Sequence, residues 1–281
     1  MSRRFRQVDV FAPEPCTGNP VAVVLDAEGL DVDEMRRISS WTNLSECTFV
    51  VAPEDPAADY RVRIFSLDTE LPFAGHPTLG TARAWLDAGG SPATPDLVVQ
   101  ECGAGLIPVR IDGEVLSFAA PPLVRSGPVD PDELDEVLAV LGADPATVVA
   151  AQWLDNGPGW VVVLLDSAAT VLALRPDLGG RAGRWDIGVV GPTAGSDDAA
   201  LELRAFFSDG NGPLREDPVT GSLNAGVGQW LLGTGVVRSP YVARQGTALG
   251  RRGRIEVVAE GKNVWIGGRT HVVVSGRIDL D

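Results

Sequence analysis

Short runs of β-branched and aromatic residues, punctuated by Gly, Pro, Asn and Asp, predict strands at residues 8–11, 21–25 and 61–65, and another that starts at Glu46 and runs to Val51. Asp112-Gly113 joins residues 107–111 to 114–118, and Gly261-Lys262 joins 254–259 to 263–266, so two β-hairpins are expected and a doubly wound parallel sheet is not. Residues 31–42 change period: Val32, Met35, Ile38 and Trp41 recur every three positions and predict a helix with one buried stripe. A further helix is expected at residues 130–141. Two other segments of helical length, residues 78–86 and 224–232, lack a polar face; the first carries only Arg83 and the second no charge. A helix apolar on every side is buried on every side. Gly80, Gly226 and Gly228 cost about 1 kcal/mol each in helix propensity relative to Ala, which suits positions where a neighbour approaches closely.

Each apolar helix follows the same local design. Glu70-Leu71-Pro72-Phe73-Ala74-Gly75 and Glu216-Asp217-Pro218-Val219-Thr220-Gly221 both read Glu-x-Pro-x-x-Gly, 146 residues apart, and each follows an Arg-x-Phe, at Arg63 to Phe65 and Arg204 to Phe206. Trp85 and Trp230 lie in the helices that follow. Gly18-Asn19-Pro20 corresponds to Gly157-Pro158-Gly159, and residues 100–118 correspond to 245–267. The chain therefore reads as a duplication of class α+β, two related lobes that are each a β-barrel-like mixed sheet around a central helix. Pro121-Pro122 separates residues 1–122 from 123–270, and residues 271–281 are expected to return to the first lobe. Two helix N-termini, each with unpaired N–H groups, imply an anionic ligand held in a cleft between the lobes.

Composition narrows the chemistry. A formal charge of −15 over 281 residues argues against nucleic acid, which requires clustered Lys and Arg. No apolar run is long enough to span a bilayer, and Ser2-Arg3-Arg4-Phe5-Arg6 leads into Val8-Asp9-Val10 rather than a signal-peptide core, so a cytoplasmic protein away from membranes is expected. Cys16, Cys47 and Cys102 are dispersed, and His76 and His271 are the only histidines, so no metal site is expected. Lys262, the single lysine, falls at a hairpin tip and leaves no Schiff-base residue for pyridoxal; no cofactor is expected.

The polar residues near the helix mouths are Glu46, Glu70, His76, Glu216, Asp217, Thr220, Ser222 and Asn224. They suit a small-molecule carboxylate: N–H groups near Gly75-His76 and Gly221-Ser222 to hold it, and a side-chain carboxylate to move a proton. Glu46 is either solvated at a strand edge or aimed into a cleft. Ser222 lacks the Gly-x-Ser-x-Gly elbow of a hydrolase, and the glycine turns lack phosphate-cradle spacing.

Val8-Asp9-Val10-Phe11, Gly18-Asn19-Pro20-Val21, Asn43-Leu44-Ser45-Glu46, Phe73-Ala74-Gly75-His76-Pro77-Thr78 and Glu216-Asp217-Pro218-Val219-Thr220-Gly221-Ser222 together resemble the phenazine-biosynthesis PhzF family, and Gln245-Gly246 and Ile266-Gly267-Gly268 extend the likeness over nearly the whole chain. The resemblance implies a diaminopimelate epimerase-like fold and a cofactor-independent isomerase. It assigns the acid/base to Glu46, supporting roles to His76, Asp217 and Ser222, the turn glycines to Gly75 and Gly221, and a homodimeric assembly. The epimerase branch places a cysteine at each helix mouth, where this chain has Ala74 and Pro218, so a two-thiol racemase is not expected. Many relatives continue Gly-Ser-Ala-His where this chain has Gly221-Ser222-Leu223-Asn224, which places Asn224 among the substrate-binding candidates and keeps a non-catalytic small-acid binding protein of the same fold, or an amino-acid racemase or epimerase, as the alternatives.

Overall fold

The computed structural model describes residues 2–195, 198–208, 210 and 212–280. The chain divides into two compact units, Met1–Ala119 with Gly267–Asp281, and Ala120–Ile266. The sequence places these limits at residues 122 and 270.

The first unit contains β1 (Ser2–Val10), β2 (Asn19–Val24), α1 (Val32–Thr42), β3 (Cys47–Val51), β4 (Tyr60–Ser66), β5 (Thr69–Leu71), α2 (Gly75–Asp87), β6 (Leu97–Cys102), β7 (Gly105–Asp112) and β8 (Val115–Ala119). The second contains β9 (Arg125–Pro128), α3 (Pro131–Leu141), β10 (Val148–Asp155), β11 (Gly159–Leu165), α4 (Ala168–Ala173), β12 (Trp185–Pro192), β13 (Leu201–Ser208), β14 (Arg215–Asp217), α5 (Gly221–Gly233), β15 (Tyr241–Gln245) and β16 (Gly253–Glu260). The last strand, β17 (Asn263–Asp279), starts in the second unit and ends in the first.

In the first unit β1 pairs antiparallel with β2, β2 parallel with β3, β3 antiparallel with β4, β4 parallel with β6, and β6 antiparallel with β7. β7 then pairs antiparallel with β8, β8 pairs with β17, and β17 pairs with β1 from Ser2↔Asp279 to Val10↔Thr270. The ring closes as an eight-stranded barrel. Closure removes the free edges that an open sheet would leave. The second unit repeats the succession: β10 antiparallel to β11, β11 parallel to β12, β12 antiparallel to β13, β13 parallel to β15, β15 antiparallel to β16. In both units a short strand, β5 against β4 and β14 against β13, feeds the apolar helix.

That helix sits inside its sheet. α2 packs against β1, β2, β3, β6 and β8, and α5 against β10 and β16. At Gly80 a Cβ would stand 2.2 Å from Val21 Cγ1, so only glycine admits the strand. Both helices begin three residues earlier than the apolar pattern predicts. Gly75-His76-Pro77 and Gly221-Ser222-Leu223 are their first turns, with Ala74 and Thr220 as N-caps. Pattern alone cannot place this boundary, because Gly and Pro read as turn residues although Pro is tolerated in a first helical turn.

α1 starts with a reciprocal capping box between Asp31 and Glu34 and ends at Asn43 in the left-handed region. Met35 and Ile38 are buried in the cluster of Phe49 and Phe65, but Trp41 is 77% exposed and corrects the expected stripe. A three-residue step drifts backwards around a helix of 3.6 residues per turn, which carries the fourth member off the buried face.

Candidate active site

The first helix mouth is built from β2, β3 and α2. Glu46 immediately precedes β3, and its backbone carbonyl accepts from Ala22 N. Its side chain is 16% exposed with Oε2 shielded from solvent, which overturns the solvated alternative. His76, second residue of α2, is buried, and its Nε2 lies 3.2 Å from Glu46 Oε2 without the alignment of a hydrogen bond. Burial pushes the imidazole down to about 3, so it is neutral at physiological pH and the contact is not an ion pair. Asn19 Nδ2 is 3.4 Å from His76 Nδ1. Asn19 is fully buried, and the backbone ahead of it is gripped by Asp9, whose carboxylate accepts from Thr17 N at 2.8 Å and Gly18 N at 3.0 Å. Ala74 gives α2 no side-chain cap, so the first-turn N–H groups of Gly75 and His76 carry no capping side chain, an arrangement that can hold an anion. Cys47, next to Glu46, is fully buried, and burial pushes its thiol up, away from thiolate chemistry near neutral pH.

The second mouth is denser in side-chain bonds. Thr220 donates its hydroxyl to Asp217 Oδ2 at 2.6 Å and accepts at the same oxygen from Gln245 Nε2 at 2.9 Å. Gln245 Oε1 accepts from Thr220 N at 3.1 Å and Asn224 Nδ2 at 2.9 Å, while its Nε2 also donates to Asp217 O at 3.1 Å. Asn224 Nδ2 also donates to Thr220 O at 2.9 Å. Both of its amide hydrogens are thus committed within the unit. Ser222 Oγ accepts from Trp160 Nε1 at 3.0 Å, and Ser222 O accepts from Asn156 Nδ2 at 2.8 Å. Gly221 is the first residue of α5, beside Ser222.

Of the remaining candidates, Glu70 and Glu216 serve the architecture. Arg63 forks onto Glu70 at 2.8 and 2.6 Å, Arg204 onto Glu216 at 3.0 and 2.8 Å, and each guanidinium lies over the Phe two residues on, at 5.5 and 4.8 Å from the ring centroid. The helix mouths therefore bring together Glu46 with His76, and Asp217 with Thr220, Asn224 and Gln245. Sequence reasoning missed Asn19, Gln245 and Trp160 as residues that hold these groups. Gln245 was within reach of the duplication, since Gln100 likewise meets the fourth residue of its helix, donating to Thr78 Oγ1 at 2.9 Å. Nothing in the pattern pointed to Trp160.

Among the described residues, no three or more His, Cys, Asp or Glu side chains gather in a way that could hold a metal ion, and no helix is long and apolar enough to cross a membrane.

A closed barrel around a helix without a side-chain cap, with a buried carboxylate 3.2 Å from a neutral imidazole at its mouth, defines a mixed α/β protein. The family described as phenazine biosynthesis-like protein matches residues 8–277, and the chain belongs to it, a family of PhzF-like isomerases. Antisense-enhancing sequence 1 of Schizosaccharomyces pombe is 35% identical over 97% of both chains. The trans-2,3-dihydro-3-hydroxyanthranilate isomerase of Pseudomonas fluorescens is 34% identical over 96% of this chain and 94% of that one. Among solved structures, a PhzF-family phenazine biosynthesis protein of Enterococcus faecalis superposes with a TM-score of 0.81 at 26% identity, covering all of both chains. A hydroxyproline epimerase of Agrobacterium vitis, covering 100% of this chain and 93% of its own, shares the fold alone, with a TM-score of 0.61 at 14% identity.

Proposed function

We propose that this protein is an isomerase that moves one hydrogen within a small cyclic or unsaturated carboxylic acid, with Glu46 as both base and acid. The Glu46 carboxylate takes a proton from one carbon, the electron pair left behind shifts into the adjoining unsaturated system, and the protonated carboxyl returns the proton to another carbon. The step balances with no atom gained or lost. His76 orients Glu46, and Asp217 is the second polar group acting on the substrate. Each helix mouth offers N–H groups suited to a substrate carboxylate, at Gly75 in the first unit and at Gly221, with Ser222, in the second. Asn224 contributes through Gln245 and Thr220, to which its amide is bonded. A homodimer is the proposed assembly on the strength of the resemblance, and light scattering at twice the 29.5 kDa chain mass is the expected result.

The observation that carries this reading is the 3.2 Å approach of a buried carboxylate to a neutral imidazole at a helix mouth without a side-chain cap. The first substrate to try is trans-2,3-dihydro-3-hydroxyanthranilate, which the Pseudomonas fluorescens relative is named for, followed by other small unsaturated acids. In deuterated water the wild type is expected to place solvent deuterium in the product. Glu46→Gln, which keeps the shape and removes the titrating group, should lose at least about 100-fold in turnover. Undiminished turnover by that variant would remove Glu46 from the role.

A further inference from the structure

We infer that Asn19 is a positioning residue for the acid/base pair: its side-chain amide donates to Nδ1 of His76 and so keeps the imidazole proton on Nε2, facing Glu46. This rests on the reading of Glu46 as acid/base, and the test below separates the two.

A neutral imidazole carries one N–H, and the partner of one nitrogen decides which. With the proton on Nε2, the ring turns the positive end of an N–H bond toward Glu46 Oε2, 3.2 Å away though short of hydrogen-bond alignment, and a negative charge on the carboxylate is favoured. With the proton on Nδ1, the bare Nε2 lone pair would face a carboxylate oxygen, a repulsion relieved only by protonating Glu46. The tautomer of His76 thus selects whether Glu46 rests as base or as acid. Asn19 Nδ2, at 3.4 Å from Nδ1, supplies the donor that leaves Nδ1 unprotonated.

The strand start is built to hold that amide still. Asn19 is the first residue of β2 and pairs with Val10 of β1. Ahead of it, the nearly buried Asp9 takes the N–H groups of Thr17 and Gly18, and a Cβ at position 18 would stand 2.1 Å from Val10 O. Asp9, Gly18 and Asn19 therefore form one device. Two carboxylate bonds and a glycine-only approach fix the backbone from which the amide reaches the ring.

The test reads the tautomer directly in the full chain. The sequence contains two histidines, and His271→Gln identifies the signals of His76. In imidazole 15N NMR at neutral pH, His76 is expected to be protonated at Nε2 and bare at Nδ1. Asn19→Asp replaces the donor by an acceptor and should bring a proton onto Nδ1, with or without loss of that on Nε2. Asn19→Ala should lower kcat about five- to tenfold, the worth of one neutral hydrogen bond, with KM little changed. A wild-type ring protonated at Nδ1, an unchanged tautomer in Asn19→Asp, or an unchanged kcat in Asn19→Ala overturns the inference. The wild-type spectrum needs neither turnover nor a folded variant, so it stands apart from the fate of Glu46→Gln.

Discussion

Glu46 Oε2 stands 3.2 Å from His76 Nε2, and burial rather than the carboxylate governs the imidazole. Were the attraction of Glu46 dominant, the ring would be pulled above its ordinary value. Instead it lies well below, because desolvation of a cation this deep outweighs one imperfectly aligned partner.

The same depression predicts how stability follows pH. Unfolded, the His76 ring takes a proton near its ordinary 6.5, whereas folded it resists down to about 3. Between those values the unfolded chain binds more protons, so this contribution is complete above pH 6.5 and is lost as pH falls toward 3. The loss approaches about 1.4 kcal/mol per pH unit at its steepest. His76→Asn, which cannot titrate, should show a flatter denaturation midpoint between pH 6.5 and 4 than the wild type. Equal slopes for the two proteins would mean that His76 is not the buried neutral group described.

Arg63–Glu70 and Arg204–Glu216 are the same fork at two depths. The first pair has side chains 24% and 39% exposed, the second 7% and 11%. Arg204 also donates to the carbonyls of Val171 and Leu174, so its removal strands a buried carboxylate and takes a donor from two carbonyls, of which Leu174 O keeps Arg175 Nη1 at 2.8 Å. Arg63→Met should cost about 1 kcal/mol or less, and Arg204→Met about 3–5 kcal/mol, as urea midpoints would report. Similar losses at both sites would refute the ranking by burial.

Much of this was legible because the duplication doubles every signal. The Arg-x-Phe and Glu-x-Pro-x-x-Gly pieces recur and the structure gives them the same pairing, Phe65 opposite Glu70 and Phe206 opposite Glu216. The apolar helices announced their burial through their lack of charge. What stayed hidden depends on side-chain direction. A carboxylate at a strand start reads the same whether solvated or turned inward, so the sequence leaves both readings of Glu46 open. The links Asn19 to His76, Trp160 to Ser222 and Asn224 to Gln245 join residues 21 to 62 positions apart, and no local period encodes them.

Gln245 offers a cleaner probe of the second mouth than Asp217 itself. It bonds Thr220, Asn224 and the backbone of Asp217 at once, so Gln245→Leu keeps much of the volume while taking the acceptor from Thr220 N and one partner each from Asn224 Nδ2, Thr220 Oγ1 and Asp217 O. A buried polar group left unpaired costs about 1–3 kcal/mol. A loss of stability of at least about 2 kcal/mol is expected on that count, together with a fall in kcat because Thr220 no longer holds the Asp217 carboxylate from a fixed position. Gln245→Glu retains an acceptor and should retain more stability than Gln245→Leu. The reverse order in thermal melts would show that the donor end of Gln245, rather than its acceptor end, dominates.

Ser222 is the place where substrate affinity can be separated from proton transfer. Its Oγ accepts the Trp160 indole N–H at 3.0 Å, which occupies a lone pair and leaves the hydroxyl hydrogen to be given away. A donor fixed in this manner suits a carboxylate ligand, and in the proposed mechanism it would not move a proton between carbons. Ser222→Ala should therefore raise KM about five- to tenfold, as expected for one hydrogen bond, with kcat changed far less. Trp160→Phe removes the indole donor but keeps an aromatic ring in a buried position, and should raise KM in the same direction by a smaller factor. In Ser222→Ala the added Trp160→Phe change should then have no further effect on KM, since the bond it supports is already gone. Additive increases in the double variant would place Trp160 in contact with substrate on its own account, and a fall in kcat at constant KM would move Ser222 from binding into the chemical step.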